Sequence, residues 1–501
     1  MIKYEDNSIC FEESDLERFC LESGDNNPLH MDRSFGEITV YGEQVVFGML
    51  GVETLLNLYP TSGSRLDVKF NTPLFLHRRY YYSRKDKGES VILYLTEHQS
   101  VLLEVKINSK ELKLSDRDTE RDNEGTEEAR RLLPMLEKAR SLTDREIQEE
   151  KAVTGIYIVP PLQHLQKESK AEALCHIQRL LSYLIGMVSP GERALFMKAS
   201  TYLLAAPAPT GSWKYKMTQT DYHDILGLVS YEVEVSALGK LIAVCKIQSY
   251  VRADFNMLRC PIKKISQEQE GRTVLVLGGT KGLGAQIAKY YAQRGASVIL
   301  TYQHSQEKAQ KFCDYLSSVS DKIECIQNDI GSLADCQDLR QHMEEKYGGI
   351  DRLYICAAQS PRKIELYPDN YPLFEAYLTQ GVRMFYYPFF TLKESVKSDG
   401  KIIILSTIAV IDFPSSYSFS EYICVKSVVE SISNCSFYKE KDDCQYFVAR
   451  PSKMLTEMNN TPVGRIGAEK PEDTAEKLAR AVEEAPEKGR LFRFLDFREG
   501  S

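Results

Sequence analysis

The stretch that decides the fold of the carboxyl-terminal half is Gly278-Gly279-Thr280-Lys281-Gly282-Leu283-Gly284. It follows the apolar run Val274–Leu277 and precedes a helical pattern from Ala285 to Arg294. Glycines between a strand and a helix let the backbone approach a pyrophosphate, which then lies at the positive N-terminus of the helix. The stretch therefore predicts a nucleotide-binding turn.

Short apolar runs alternate with helical stretches from Thr273 onward. The runs are Val274–Leu277, Val298–Leu300, Ile323–Ile326, Leu353–Ile355, Ile402–Leu405 and Tyr446–Ala449. Such alternation is typical of a parallel sheet with crossover helices. We therefore expect an α/β Rossmann-type doubly wound sheet over residues 272–501.

The glycine spacing G-x-x-x-G-x-G resembles that of short-chain dehydrogenases/reductases of the beta-ketoacyl reductase type. The stretch Tyr422-Ile423-Cys424-Val425-Lys426 supplies the Tyr-x-x-x-Lys of the same family, and this spacing puts both side chains on one helix face. The resemblance implies that Tyr422 protonates a carbonyl oxygen, while Lys426 lowers the pKa of Tyr422 and binds the nicotinamide ribose. It also implies a hydroxyl donor at Thr407, with Ser406 as its rival.

The resemblance further implies a set of cofactor contacts, namely Gly278, Thr280, Lys281, Gly282, Leu283, Gly284, Thr301, Asp329, Ala357, Tyr422 and Lys426. Among these, Asp329 stands at the family position that contacts adenine. The second strand ends in Leu300-Thr301-Tyr302-Gln303, without an acidic residue for a ribose 2′-hydroxyl. Lys281 can instead pair with a 2′-phosphate, which favours NADPH over NADH.

Four departures from the family pattern leave two alternatives open. Cys356-Ala357-Ala358-Gln359 replaces N-N-A-G, Gln380 takes the place of the Asn in the proton relay, and Pro451-Ser452 replaces Pro-Gly. The connection from Thr407 to Tyr422 is also longer than usual, around Ile411–Ser416. We favour an active reductase over an inactive nucleotide-binding domain.

Residues 1–255 show a different pattern that occurs twice. The first half has a helical pattern over Gly48–Leu58, followed by strand-like runs at Leu66–Phe70, Arg79–Ser83, Val91–Thr96 and Val101–Ile107. The second half has a helical pattern over Ala171–Met187, followed by runs at Ala194–Leu204, Trp213–Met217, Val229–Val235 and Leu241–Tyr250. This order predicts a duplicated module of one helix on an antiparallel sheet. We interpret the charged residues 111–150 as a solvated linker, partly helical around Leu132–Leu142.

A further candidate site lies in Ser23-Gly24-Asp25-Asn26-Asn27-Pro28-Leu29-His30-Met31-Asp32, which is followed by Gly48-Met49-Leu50. By themselves, residues such as Gly, Asp, Asn and Pro are typical of a turn, and Asp25 would then only cap that turn. Both pieces together resemble the MaoC-like (R)-specific enoyl hydratase family, whose fold is the hotdog. The resemblance implies a catalytic hotdog over residues 1–110 and a degenerate second hotdog over 151–258 that supplies wall and pairing surface.

The family chemistry adds or removes water at a double bond conjugated to a thioester. The resemblance implies that Asp25 and His30 handle the water and the α-carbon proton between them, without saying which residue takes which proton. Gly48 would offer its backbone N–H and the helix dipole to the thioester oxygen. Phe47 stands where relatives often carry His.

The two resemblances together imply a bifunctional acyl-thioester enzyme. One half would reduce a 3-oxoacyl to a (3R)-hydroxyacyl thioester with NADPH, and the other would interconvert it with the trans-2-enoyl thioester. The alternative is a hydratase or dehydratase whose reductase-like domain only binds nucleotide or a partner. We expect a coenzyme A or acyl carrier protein thioester as substrate, as in fatty-acid or polyketide biosynthesis, and a homodimer or larger homo-oligomer.

The amino-acid composition excludes several classes of protein. The 63 Lys and Arg against 71 Asp and Glu give a net charge of −8, which argues against a dedicated nucleic-acid binder. No run of 18 apolar residues and no apolar leader occur, so we expect a cytoplasmic protein that does not span a membrane. The twelve cysteines contain no C-x-x-C, which predicts reduced thiols and no metal site. The basic stretch His77–Lys87 is either a charged edge strand or a docking site for the substrate's carrier.

Overall fold

The computed structural model describes residues 2–4, 6–39, 41, 43–60, 63–97, 100–108, 132–159, 170–205, 211–255, 257–259, 261–303, 306–359, 361, 364, 366–412, 420–439, 444–486 and 489–498. The chain divides into two compact units, one of residues 1–254 with 461–466 and one of residues 255–460 with 467–501. Among the described helices, none is both long and apolar enough to cross a membrane.

The first unit combines an antiparallel sheet with helices. Its strands are β1 (Ile2–Tyr4), β2 (Ser8–Cys10), β3 (Val45–Val46), β4 (Arg65–Phe70), β5 (Leu74–Phe75), β6 (Arg79–Lys87), β7 (Ser90–Glu97), β8 (Ser100–Asn108), β9 (Ala152–Val159), β10 (Ala194–Leu203), β11 (Gly211–His223), β12 (Leu228–Ala237) and β13 (Lys240–Val251). Its helices are α1 (Glu13–Ser23), α2 (Pro28–Met31), α3 (Arg33–Ile38), α4 (Gly48–Leu58), α5 (Asp144–Glu149) and α6 (Lys170–Tyr183), the last continuing as a π-helix, Leu184–Val188.

The main sheet of this unit joins two similar halves. As far as the structure describes them, its eleven strands run in the order β1-β2-β6-β7-β8-β4-β10-β13-β12-β11-β9, and every neighbouring pair is antiparallel. The halves meet where β4 pairs with β10, with Val68 opposite Ala199. Each half carries one long helix, and these two helices, α4 and α6, pack against each other. The double-hotdog interpretation of this arrangement stays a prediction.

A buried ion-pair cluster lies between α4 and α6. Arg179 of α6 is bound by both carboxylate oxygens of Glu53 of α4, at 2.6 and 2.8 Å, and by Glu22 at 2.8 Å. Arg179 and Glu53 are 2% and 3% exposed. Removing one partner of such a pair leaves an uncompensated buried charge, at a cost of about 3–5 kcal/mol. The two halves are therefore joined by charge as well as by apolar packing.

The segment between the two halves corrects one prediction. Residues 111–131 of the predicted linker lie outside the described residues. Residues 132–142 are not helical, because Pro134 cannot continue a helix and Leu133 instead pairs with Gly155 of β9. Leu142 and Ile147 are buried in the core of the first unit. The described part of this segment is thus anchored in the core by these two residues, while charged side chains such as Arg145 and Glu149 remain exposed.

The second unit contains a parallel sheet. Its strands are β14 (Thr273–Leu277), β15 (Ser297–Tyr302), β16 (Ile323–Gln327), β17 (Ile350–Ile355), β18 (Val396–Leu405), β19 (Gln445–Arg450) and β20 (Leu491–Asp496). Its α-helices are α7 (Gly282–Ala292), α8 (Gln306–Ser317), α9 (Leu333–Tyr347), α10 (Tyr371–Leu392), α11 (Ser420–Lys439) and α13 (Pro471–Glu483). The short helix α12 (Pro462–Arg465) belongs to the first unit. Short 3₁₀ helices are Met257–Arg259, Pro368–Asn370, Lys393–Ser395, Ile408–Val410 and Glu457–Asn459.

The strand order is β16-β15-β14-β17-β18-β19-β20, and every neighbouring pair is parallel. All residues of β14 are buried, since helices cover both faces of the sheet. Val274 and Val276 face one core with α7 and α13, whereas Leu275 and Leu277 face the other with α9, α10 and α11. The α/β prediction for this part of the chain is confirmed, including all six strands expected from the apolar runs.

Candidate functional site

The glycine-rich turn after β14 leaves little room for side chains. Gly278 has a φ of 72°, and its N–H donates to the Thr301 hydroxyl at 3.1 Å. A Cβ on Gly284 would lie 2.4 Å from the Gly278 carbonyl oxygen, and a Cβ on Gly278 would lie 2.8 Å from that of Ala357. The turn is thus packed too tightly for side chains at these positions, and it leads directly into the N-terminus of α7, where free N–H groups can receive a pyrophosphate.

The other predicted residues of this turn have different surroundings. Gly282 begins α7 with a φ of 57°, and Thr280 is half-buried. Leu283 is buried in the core, so it can offer a ligand only its backbone N–H. Thr301 is 2% exposed, and its hydroxyl is used to hold Gly278. Leu283 and Thr301 therefore shape the turn rather than present a side chain to a ligand.

Positive charge gathers beside the end of β15. The Lys281 side chain is exposed to solvent along part of its length. Protein atoms nevertheless surround its ammonium group, and the resulting loss of hydration lowers the pKa of Lys281. The nearby cation Lys308 lowers the pKa further, whereas Glu457 raises it. Lys281 and Lys308 can therefore both attract a phosphate group, beside a strand end at Leu300–Gln303 whose sequence has no acidic residue.

Asp329 lies in the turn that follows β16. Its carboxylate accepts from the Gly331 N–H at 2.9 Å, and its own N–H donates to Asp335 at 3.1 Å. Gln380 of α10 approaches the same turn, since a Cβ on Gly331 would lie 3.3 Å from Gln380 Nε2. The residue predicted to contact adenine and the residue predicted for the proton relay thus lie together at this turn.

Tyr422 and Lys426 of α11 line one narrow cavity at the carboxyl ends of β17 and β18, with Ala357 in its wall. Lys426 Nζ lies 5.5 Å from the centroid of the Tyr422 ring and donates to the Leu405 carbonyl at 2.6 Å. Ligands of open α/β sheets bind at the carboxyl ends of the strands. The structure therefore brings the predicted proton donor and its lysine together at the expected edge of the sheet.

Burial controls the charge of Lys426, which is 5% exposed. Desolvation lowers its pKa to about 8, while Cys356 and Glu430 oppose this shift. Burial also raises the pKa of the Cys356 thiol to about 12, so that this neighbour is neutral. Lys426 is thus a cation at neutral pH and loses its charge as the pH rises above about 8.

The two candidate hydroxyls have different partners. Ser406 is buried and donates to the Glu430 carboxylate, which also binds Arg450 through both oxygens. Thr407 is half-buried, and its oxygen accepts from the Ala409 N–H at 3.4 Å, so that its own proton can be donated elsewhere. In the described part of the chain, neither residue lines the cavity of Tyr422. The longer loop predicted around Ile411–Ser416 lies largely outside the described residues.

Gln359 is a polar residue of this cavity to which the sequence assigned no role. Its Oε1 is buried and finds no hydrogen-bond partner among the described residues, and it would lie 3.2 Å from a Cβ on Gly381 of α10. The cavity has a volume of about 20 Å³, which is room for one water molecule. The sequence did offer one indication of this. Gln359 replaces the glycine of the family pattern N-N-A-G, and its larger side chain must fill space that the glycine leaves free.

In the first unit, Asp25 is 2% exposed and lies against the end of α6. Its carboxylate accepts from the Ser182 hydroxyl at 2.7 Å and from the Asn27 N–H at 3.1 Å. A Cβ on Gly186 would lie 2.4 Å from the carboxylate, so only glycine fits there. Burial raises the pKa of Asp25 to about 7, against the effect of the two hydrogen bonds. This carboxyl group can therefore hold or release a proton at neutral pH.

His30 lies in α2 and points one ring nitrogen at the backbone. Its Nδ1 is 2.6 Å from the Val45 carbonyl oxygen, so Nδ1 carries the proton and Nε2 has the lone pair. Surrounding protein lowers the pKa of His30 to about 4, the charge of Arg252 acts in the same direction, and the bond to Val45 opposes both. His30 is thus neutral at pH 7, and its Nε2 is a proton acceptor.

Gly48 begins α4, where the first N–H groups have no acceptor within the helix. A Cβ on Gly48 would lie 2.7 Å from the Phe70 ring, which explains why this position is glycine. Phe47, the preceding residue, packs on the His30 ring with 4.1 Å between centroids. The Asn27 side chain caps α2, which carries His30, and the Asn27 N–H binds Asp25. Asp25, His30 and Gly48 are therefore linked through Asn27, which contacts Asp25 and caps the helix of His30, and through Phe47, which packs on His30 and precedes Gly48.

The second half of this unit contributes more than the wall that the sequence predicted. Ser182 and Gly186, which contact Asp25 directly, lie on α6 and on the π-helix that continues it. The Asn27 side chain also donates to the carbonyl oxygens of Gly186 and Gly191. Ser182 of the second half thus stabilises the charged form of Asp25 in the first half, against the effect of burial.

Comparisons with known proteins find relatives of part of this chain. Hydroxynaphthalene reductase of Aspergillus fumigatus is 35% identical over 81 residues, which are 16% of this chain and 30% of that protein. An uncharacterized oxidoreductase of Bacillus subtilis is 24% identical over 171 residues, 33% of this chain and 58% of the relative. The chain thus spans 30% and 58% of the length of these two curated relatives.

A solved short chain dehydrogenase from Burkholderia cenocepacia, in complex with NADP, is 20% identical with a TM-score of 0.39, over 46% of this chain and 99% of that one. The model of the short chain dehydrogenase family matches residues 272–460. This range contains the glycine-rich turn, the parallel strands from β14 to β19 and the Tyr422–Lys426 pair. Residues 272–460 are therefore a short-chain dehydrogenase domain.

Proposed function

We propose that this domain reduces a 3-oxoacyl thioester to a (3R)-hydroxyacyl thioester with NADPH. The observation that carries the proposal is the cavity lined by Tyr422 and Lys426, with Ala357 beside both the cavity and Gly278. Two relatives, named as a hydroxynaphthalene reductase and a versicolorin reductase, are 35% identical over short segments, and their names support a reduction.

The dinucleotide fits the residues of the turn. A Cβ on Gly278, Gly279 or Gly284 would collide with neighbouring protein atoms, so these glycines allow the tight turn that brings the chain into the N-terminus of α7, where free N–H groups can bind a pyrophosphate. Lys281 and Lys308 provide charge for a 2′-phosphate, which supports NADPH rather than NADH. The name of a further relative, L-rhamnose 1-dehydrogenase of a Sphingomonas strain, gives NAD(P)(+) as its cofactor at 25% identity.

Replacing Lys281 by Ala should narrow the preference for NADPH over NADH by about tenfold or more, because a charge-assisted hydrogen bond is worth about 1.5–3 kcal/mol. Cofactor titration of the full chain measures both affinities. Lys289→Ala, near the other end of α7, is the matched control and should leave the ratio unchanged. Equal affinities in the unmodified chain would contradict the assignment of the phosphate site.

The proposed reduction uses three features of the chain. The bound cofactor supplies a hydride to the carbonyl carbon. Tyr422 donates its phenolic proton to the carbonyl oxygen, and the nearby cation of Lys426 makes that proton easier to release. Thr407 offers a second hydroxyl near the same strand end. Because Lys426 loses its charge above about pH 8, this assistance weakens in alkaline solution.

We propose that the first unit is a double hotdog of the MaoC-like type, which interconverts the 3-hydroxyacyl and trans-2-enoyl thioesters. Its support is the pairing of one long helix with antiparallel strands in each half, together with the protonation of Asp25 and His30. A carboxyl group with a pKa near 7 and a neutral imidazole suit the exchange of water and of an α-carbon proton.

The roles in hydration follow from these protonation states. In this proposal the Asp25 carboxylate accepts a proton from the water molecule, with His30 Nε2 as a second acceptor for the same water. The proton then returns to the α-carbon. The N–H groups that begin α4 at Gly48 face the developing negative charge of the thioester oxygen. Dehydration runs the same steps in reverse.

Replacing Ser182 by Ala should move the acidic limb of the hydration pH profile upward by about one pH unit. The lost hydrogen bond destabilises the charged carboxylate, so the pKa of Asp25 rises and a higher pH is needed to ionise it. The measurement is kcat/KM for a crotonyl thioester against pH. Ser189→Ala, which removes a buried hydroxyl bound to Tyr231 instead, is the control. An unmoved limb would show that the Asp25 carboxylate is not the active form.

The substrate's carrier is a further proposal, namely that the basic stretch His77–Lys87 attracts coenzyme A phosphates or an acidic carrier protein. Part of this stretch is not at the edge of the sheet, because β6 pairs with β2 on one side and with β7 on the other. Two of its arginines form ion pairs, Arg78 with Glu43 and Arg84 with Asp86. Arg78→Glu combined with Arg84→Glu should weaken activity on the full carrier, most at low salt, and spare a pantetheine mimic. Equal effects on both substrates would leave the stretch as a charged surface only.

One observation favours a second candidate function, in which the domain binds nucleotide or a partner without turnover. The cavity beside Tyr422 has room for about one water molecule, and Gln359 projects into it where the family has glycine. Under this alternative only the first unit is catalytic.

The deciding experiment incubates the purified full chain with acetoacetyl thioester and NADPH, and separately with crotonyl thioester. Consumption of NADPH with formation of the (3R)-hydroxyacyl product, together with hydration of the crotonyl thioester, supports the bifunctional enzyme. Hydration without reduction supports the second candidate. We further propose that the chain assembles as a homodimer or larger homo-oligomer, which its mass in solution tests.

A further inference from the structure

Two thiols meet where α8 packs on the sheet of the second unit. Cys313 of α8 and Cys325 of β16 lie on two elements that pack together, and each thiol changes the pKa of the other. Cys325 Sγ also lies 3.4 Å from the carbonyl oxygen of Ala309, which precedes Cys313 by one helical turn. Because a helix and a strand hold these residues, their proximity does not depend on a loop.

The two thiols differ in exposure and in acidity. Cys313 is 6% exposed, whereas Cys325 is half-buried and gives solvent access to the pair. The neighbouring Cys325 thiol lowers the pKa of Cys313, while Cys313 and burial raise the pKa of Cys325. The thiolate is the reactive form of cysteine, so Cys313 is the nucleophile of the pair and Cys325 the second thiol.

We propose that Cys313 and Cys325 form a redox-active dithiol, which a hydroperoxide converts into an intramolecular disulfide. In the first step the Cys313 thiolate attacks the peroxide oxygen, the O–O bond breaks, and a sulfenic acid and hydroxide form. In the second step the Cys325 sulfur displaces the sulfenic oxygen, which leaves as water, and the S–S bond forms. The peroxide is reduced by two electrons, and the two thiols lose two hydrogens in total.

The crosslink would fasten the middle of α8 to β16. Helix α8 also carries Lys308, the second cation of the proposed phosphate site, and it directly follows the β15 connection. The dithiol is nevertheless separate from the proposed chemistry, since neither thiol lines the cavity of Tyr422 in the described residues. Its test therefore does not depend on the enzymatic activity of the chain.

The experiment treats the reduced full chain with hydrogen peroxide, blocks the remaining thiols with an alkylating reagent and maps the peptides by mass spectrometry. The expected result is one crosslinked peptide pair that contains Cys313 and Cys325, two hydrogens lighter than the reduced pair and released by a thiol reductant. Cys313→Ser and Cys325→Ser should each abolish it. Cys424→Ser with Cys435→Ser, which removes two exposed thiols, should leave it unchanged.

The unmodified chain decides the outcome even if a variant folds poorly. If peroxide oxidises Cys424 and Cys435 while Cys313 and Cys325 are recovered alkylated and separate, the proposal is overturned. A disulfide of either residue with another cysteine would overturn it as well. Recovery of the expected pair at peroxide concentrations that leave the exposed thiols intact would establish it.

Discussion

Tyr422→Phe should reduce the rate of 3-oxoacyl thioester reduction by about 10²–10⁴-fold, since it removes only the phenolic proton donor. The ring keeps its place on α11 beside Lys426, so NADPH should bind as before. The measurement compares single-turnover reduction of acetoacetyl thioester with cofactor affinity. Hydration of a crotonyl thioester should persist, because Asp25 and His30 lie in the other unit.

Tyr438→Phe is the matched control for this experiment. It removes a hydroxyl from the same helix at a side chain that is 73% exposed, so reduction should not change. If the unmodified chain and Tyr422→Phe reduce the substrate equally slowly while both bind NADPH, the domain is a nucleotide-binding one without turnover.

Asp25→Asn or His30→Ala should lower hydration of a crotonyl thioester by at least about 10²-fold, the usual effect of losing one acid–base group. Asn is close to Asp in size and can still accept from Ser182, but it cannot take a proton from water. His30→Ala removes the Nε2 acceptor. NADPH binding and the thermal unfolding of the second unit should remain near those of the unmodified chain.

Two exposed residues serve as controls for the dyad. Asp221→Asn and His223→Ala, both at exposed positions of β11, alter the same residue types outside the basic stretch His77–Lys87. Both should retain full hydration. A double variant of Asp25 and His30 that still hydrates the thioester would rule out these residues as the catalytic pair.

Much of the second unit was predictable because its signals are local. An apolar run such as Val274–Leu277 is buried on both faces wherever it lies in a parallel sheet, and the i, i+4 spacing of Tyr422 and Lys426 puts them on one face of any helix. The edge strand β20 was missed, because Leu491–Asp496 alternates aromatic and charged residues and most of its side chains are at least partly exposed.

The candidate sites were predictable only in part. The sequence placed Asp25 and His30 in one loop, yet it did not indicate Ser182, which lies 157 residues away and donates to Asp25. It left Ser406 and Thr407 as rivals, and the structure commits Ser406 to Glu430. The role of Gln359 was also missed, since only folding brings its amide beside Gly381.

The sequence by itself determined the features that depend on residues close together in the chain. These are the glycine-rich turn, the buried strands, the faces of the helices and the types of residue available for chemistry. The tertiary structure decided what surrounds those residues. The pKa values of Asp25, His30 and Lys426 depend on burial and on hydrogen bonds from distant segments, and the Cys313–Cys325 contact depends on how α8 packs on β16. Desolvation and close contact are properties of the packed chain, so no local pattern of residues contains them.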